Sequence, residues 1–228
     1  DFQQDRAARS LLRGVDPRLN SVTINGERMP STEPQTRSVN FISVSSEIVQ
    51  AVEVSKALTP DQDGDGIGGT INLVTKQAPE KRLLTATIEA GYNDLRESTT
   101  PRGSFAWGQR FAEGAWGFIL SGSAQDERRA NETYEYEYTG SQGEILDRVT
   151  LRDEEADYQR YSGNAALDWR SDRSSFFLRG VFTRQDQNKI RRRNRYERVP
   201  AGLVGTGGRI RTELRDRERQ RDLFSTSI

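Results

Sequence analysis

The 228-residue sequence contains no cysteine and no histidine. Disulfides, thiolate zinc sites, cysteine nucleophiles and histidine general bases are therefore excluded from this segment. A serine–lysine or paired-carboxylate enzyme survives formally, but no spacing singles one out, so no catalysis and no cofactor are expected. Apolar residues are also scarce: they make up 33% of the chain, and the mean hydropathy is −0.82. A compact globule of this size normally buries more apolar surface than that supplies. No apolar run approaches the ~20 residues of a membrane helix, which excludes a helical span and leaves a barrel open. Charge of a dominant sign is missing too, since 34 basic residues balance 34 acidic ones. Disorder would suit the low hydropathy, but the zero net charge and the aromatics recurring in alternating runs argue against it. The chain begins without Met and ends on the alternating run 223–228, and no signal peptide is visible. It is expected to be a fragment of a longer polypeptide.

What is present falls into two parts. Residues 1–12 have Ala7, Ala8, Leu11 and Leu12 at helical spacing, with Gly14 placed to end a helix. Val22 and Ile24 alternate with Thr23 before Asn25-Gly26, a strong hairpin-turn pair. Residues 30–40, with Pro30 and Pro34, read as a loop. Ser45-Ser46-Glu47 can cap a short helix carrying Ile48, Val49 and Val52. Two short runs, Val52–Val54 and Ile71–Val74, read as half-buried strands joined by a loop rich in Asp and Gly. The span to Lys76 thus reads as a small α/β unit.

Past Pro79 the period becomes two. Leu84, Ala86, Ile88, Ala90 and Tyr92 alternate with polar residues, and Phe105 and Trp107 continue the pattern. Further alternating runs cover 116–124, 161–169 and 176–183. A sixth strand is expected from near Arg209 to the end, although its middle, ELRDRERQRD, is heavily charged. One face of each strand carries Leu, Ile, Phe, Trp and Ala, and the other carries Thr, Ser, Asn, Asp, Glu and Arg. Short links at 111–115 and 170–174 alternate with long ones at roughly 128–156 and 189–208. Outer-membrane barrels join their strands in this way, with the apolar face on lipid and aromatics such as Trp107, Trp116, Tyr161 and Trp169 near strand ends. A soluble antiparallel sheet with one solvated face gives the same alternation without the short–long pattern.

Three local motifs invite function. Asp61, Asp63 and Asp65 with Gly66 match the start of an EF-hand loop and are candidate metal ligands. The match fails at the twelfth position, Asn72, and at the eighth, Gly68, so an acidic turn is the plainer reading. Lys189–Tyr196 resembles a nucleic-acid patch, but it reads as a charged external loop whose arginines could pair with anionic lipopolysaccharide or ligand. Tyr134, Tyr136 and Tyr138 alternate with Glu, so the first long link could extend as a hairpin above the membrane.

Arg13-Gly14, the run 20–26, the run 52–57 and the run 65–76 (DGIGGTINLVTK) together resemble the plug of TonB-dependent outer-membrane receptors, in both order and spacing. The last run is the most specific and resembles the plug's end, just before the first barrel strand. The wording TPDQDGDGIGG looks closest to a branch often linked to carbohydrate uptake. The resemblance implies a 22-strand barrel around a plug, ligand entering from outside, and energy from a TonB-type periplasmic protein acting on an N-terminal box that is not visible here. Arg13, Gly14, Asn25, Gly26, Gly68 and Gly69 match the plug signature and are expected to be structural. Residues 1–79 are then the C-terminal part of an α+β plug, and 80–228 are about six strands of an antiparallel transmembrane barrel.

The function implied is binding and energised uptake of a bulky solute, such as a siderophore or carbohydrate, across the bacterial outer membrane. Expected partners are the coupling protein, the extracellular solute and outer-membrane lipid, with no nucleic acid. Two alternatives stand: a non-energised outer-membrane barrel or ligand-binding module, and a soluble calcium-binding β protein.

Overall fold

The computed structural model describes residues 19–31, 39, 44–55, 68–140, 142–143, 145–198 and 208–228. These residues form two β-sheets. The smaller has the order β2-β1-β4-β3, with β1 Asn20–Ile24, β2 Glu27–Arg28, β3 Val49–Ser55 and β4 Gly69–Thr75. β1 and β4 run parallel, from Asn20 opposite Gly69 to Ile24 opposite Leu73, while the other pairs are antiparallel. The β1–β2 turn falls on Asn25 (φ 52°) and Gly26 (φ 89°), the left-handed angles that this pair favours. β4 buries Gly69, Ile71, Leu73 and Thr75 in strict alternation. With Val22, Ile24, Met29, Val39 and Ile48, its side chains make a small apolar core.

The helix expected after Ser45 is only a three-residue 3-10 turn, Ser46–Ile48. Ser45 does cap it, accepting from the Glu47 N–H at 3.3 Å. Val49 and Val52 belong instead to β3, because hydrogen bonding to β4 satisfies the backbone there and β-branched residues suit a strand. Among the described residues, helix is limited to this turn, a second 3-10 turn, Asp94–Arg96, and the single 3-10 residue Leu19. The α component expected of the first part is therefore absent from them. The expected helix at 1–12 lies outside the described residues.

The larger sheet is an open antiparallel meander, β5 to β10 in sequence order. Its strands are β5 Leu83–Asn93, β6 Ser98–Phe111, β7 Trp116–Thr139, β8 Ile145–Arg170, β9 Ser175–Arg198 and β10 Gly208–Ser227. All six alternating runs became strands, and the short links are tight turns. In the first of these turns Ala112, Glu113 and Gly114 all have positive φ. The long links need correcting. Most of 128–156 and 189–208 is strand, so the length resides in the strands and β8 reaches 26 residues. Lys189–Tyr196 accordingly lies inside β9 and not in a loop. Charge misled the loop assignment: the backbone ladder runs on through these charged residues, and their alternation keeps the period of a strand. β6 pairs with β7 only as far as Gln125; beyond it β7 continues beside β8 alone.

The two faces of this sheet differ as the alternation requires. Leu84, Ile88, Phe105, Trp107, Leu120, Leu178, Phe182 and Phe224 stand exposed on one face, Ile88 at 91%. On the other, Ser121, Asn164, Thr183 and Gln185 are at most 3% exposed.

Candidate ligand-binding face

The polar side chains are buried because the small sheet lies against them. Ser123 Oγ donates to Ser45 Oγ at 2.9 Å, and Asn164 Nδ2 donates to the Lys76 carbonyl at 3.0 Å. Arg102 pairs with Glu47, and Ser104 Oγ donates to the same carboxylate at 3.3 Å. Val181 of β9 enters the small sheet's core, with Leu223 of β10 packed beside it. A cleft of about 250 Å³ remains between the sheets, lined by Met29, Pro30, Thr183, Arg221 and Leu223 among others.

Close approach is needed where the connecting segment crosses β6 and β7. A Cβ on Gly108 would sit 2.8 Å from Pro79, and one on Gly117 would sit 2.7 Å from Ala78. Gly117 also lies in register between Arg110 and Asp168. With no side chain between them, these two meet across β7 in a bidentate pair, 2.9 Å at both contacts. The Arg110 side chain is only 6% exposed.

Within the small sheet, Asn72 joins three strands. Its Oδ1 accepts from Thr23 Oγ1 at 2.9 Å and from the Gly26 N–H at 3.0 Å, while its Nδ2 donates to Glu53 at 2.9 Å. Asn25 likewise reaches Thr75, accepting its N–H at 2.9 Å. Gly68 donates its N–H to the Leu19 carbonyl at 2.9 Å, and Gly69 has φ 133°. Gly68 and Gly69 thus stand at the start of the β1–β4 ladder, and Asn25 and Gly26 at its far end. Arg13, Gly14, Asp61, Asp63 and Asp65 lie outside the described residues. Among the described residues no acidic cluster has the make-up of a metal site.

Beyond the small sheet the same face of β8, β9 and β10 becomes cationic. Its cross-strand rows read Arg152–Arg193–Glu213, Glu154–Arg191–Arg215 and Ala156–Lys189–Arg217, flanked by Thr150–Arg195–Arg211 and Arg160–Gln185–Arg221. The opposite face carries Asp153, Glu155, Asp157, Asp186, Asp216 and Glu218. There Arg192 reaches Asp153 at 3.1 Å and Glu155 at 2.7 Å, and Arg96 adds pairs to Glu155 and Asp157. The hydrogen bond from Arg192, with Arg96 and Arg192 charge beside it, holds the Glu155 carboxyl below its ordinary range. On the cationic face, burial and the nearby Arg215, Arg193 and Arg217 push the Arg191 guanidinium down.

Composition hid this division by sign, because the two faces cancel. The signal was nonetheless in the charged middle of the last strand. Arg215, Arg217, Arg219 and Arg221 alternate there with Asp216, Glu218, Gln220 and Asp222. Period two in charge sign marks two faces as surely as period two in hydropathy. No protein-family model and no curated protein sequence matches this chain.

Proposed function

We propose that this chain belongs to a TonB-dependent outer-membrane receptor, with 1–79 the later part of the plug and 80–228 the first strands of the barrel wall. One observation carries the reading: the small sheet covers the polar face of the large sheet and leaves its apolar face open. A soluble sheet gains stability by the reverse arrangement, since burial yields about 25 cal/mol for each Å² of apolar surface. Lipid supplies the missing cover. The exposed apolar band runs from the row of Trp116 and Trp169 to that of Tyr161, about 27 Å along the strand, and aromatics bound both edges. The Tyr161 row already holds Arg184 and Asp222, and Asp186 follows beyond it, where the ribbon rises into water.

On this reading the uptake of a bulky solute needs no covalent step, and the polar face with the cleft beneath it forms the ligand path. The same inversion weighs against the soluble calcium-binding alternative. A non-energised barrel differs only in coupling: solute accumulation in cells is expected to vanish when the periplasmic coupling protein is removed.

The membrane placement is tested with a fluorophore on single cysteines in vesicles of brominated lipid. Strong quenching is expected at Ile88, Leu120 and Leu167, and little at Thr87 and Ser121. Equal quenching on the two faces would sink the proposal.

A further inference from the structure

The cationic ribbon is arranged against its own stability. Like charges directly opposite each other in a ladder destabilise it, yet Arg195 faces Arg211, Arg191 faces Arg215, and Lys189 faces Arg217. Arg152 also faces Arg193. Carboxylates on these rows are Glu154, Glu197 and Glu213, and each is shared. Glu154 lies 2.8 Å from Lys189 and 2.5 Å from Arg191. Glu197 is shared by Arg148 and Arg195, both at 3.5 Å, and Glu213 by Arg193 and Arg215. On the same face β7 adds Glu127, Glu135 and Glu137, which pair with Arg160, Arg152 and Arg148 of β8. The cations of β9 and β10 still outnumber these carboxylates, because the alternation sends Asp153, Glu155, Asp157, Asp186, Asp216 and Glu218 to the other face. A merely solvated surface is better served by interspersed signs.

From this we infer that the ribbon binds an elongated oligo-oxyanion, an acidic oligosaccharide carrying carboxylate or sulfate groups along its length. The inference rests on the transporter reading and gives its solute a chemical class. Every row from Arg148–Glu197–Arg209 to Arg160–Gln185–Arg221 holds at least one cation, over about 40 Å of strand. A compact anion would engage one or two rows and leave the rest repelling. The cations are almost all arginine, whose planar fork matches carboxylate and sulfate in bidentate fashion. Nucleic acid fits less well, because stacking platforms for bases are lacking among the described residues of these rows. Their aromatic, Tyr158, is already flanked by the Arg129 and Arg160 guanidiniums, at 5.5 and 5.0 Å from its ring.

The test is titration calorimetry on the intact polypeptide in non-ionic detergent, with hexagalacturonate and a heparin-derived hexasaccharide as probes. Maltohexaose and oligothymidylate serve as comparisons. At least one acidic probe is expected to bind with an affinity that falls steeply with salt, and maltohexaose is expected not to bind. The double variants Arg195→Gln/Arg211→Gln and Arg215→Gln/Arg217→Gln should each weaken binding tenfold or more. Their thermal midpoints should hold or rise as repulsion is relieved, which separates lost binding from lost folding. Arg128→Gln, on the acidic face, should bind as the parent does. Failure of both acidic probes to bind would overturn the inference, as would unchanged affinity in both double variants or equally tight oligothymidylate. Normal lipid quenching beside any of these failures would leave the membrane reading intact.

Discussion

Arg110, Gly117 and Asp168 show how one missing side chain permits an ion pair between strands that are not neighbours. Arg110 and Asp168 sit on β6 and β8, and their contact passes over β7 only because position 117 is glycine. Removing one partner leaves the other with only a more exposed substitute, Glu80 at 3.4 Å from Arg110 or Arg170 at 3.5 Å from Asp168, at a cost of up to about 3 kcal/mol. Asp168→Ala is therefore expected to lower the unfolding midpoint of the detergent-solubilised protein markedly, and Arg110→Met with Asp168→Leu to restore much of it. Equal losses in the single and double variants would count against the pair. None of this was legible in the sequence, where Arg110 and Asp168 are fifty-eight residues apart and neither belongs to a motif. Asn72 was half legible. Its amide cannot replace the bidentate carboxylate of a calcium loop, and the structure gives that amide three hydrogen-bonding partners from β1, its turn and β3. Asn25-Gly26 was fully legible, because its turn chemistry is local.

Strands were readable wherever apolar and polar residues alternate, and misread where charges alternate with charges. β7, β8 and β9 each continue well past the part that hydropathy reveals, and only the sign of the charge keeps the period. The 3-10 turn Asp94–Arg96 is attached to this extension. Asn93 caps it, and Arg96 reaches Glu155 and Asp157 on the acidic face of β8. That attachment depends on pH in a definite direction. The folded Glu155 carboxyl titrates below its ordinary value of 4.5, chiefly through the Arg192 hydrogen bond and then through Arg96. A depressed carboxyl contributes its stability above the unfolded pKa and loses it as pH falls through the folded one. Hydrogen exchange of residues 94–97, corrected for intrinsic rates, is expected to quicken as pH drops from about 5 to about 3. In Arg96→Gln it should be fast already at neutral pH. Protection that stays flat over this range in the parent would show that the clasp does not hold the turn.

At the scale of the whole molecule, zero net charge and low hydropathy are sums over faces that differ from each other. One end of the large sheet sets an apolar face against a polar one, and the other end sets an acidic face against a basic one. The first contrast needs a different medium on each side, and water supplies only one of them. Both outer strands of the open sheet, β5 and β10, also present backbone that no strand in the described residues pairs on the far side. Unpaired edges together with exposed apolar residues such as Leu84, Ile88 and Phe224 template association with other chains. The 228-residue chain in detergent-free buffer is therefore expected to aggregate on refolding, and to remain dispersed with full β-sheet circular dichroism in micelles. Lysine placed outward at Ile88, Leu120 and Phe224 should increase its solubility in buffer and abolish its partition into vesicles. A sharp cooperative melt of the unaltered, monomeric chain in plain buffer would mean that the small sheet and the polar face suffice as a core, and that the apolar face is not made for lipid.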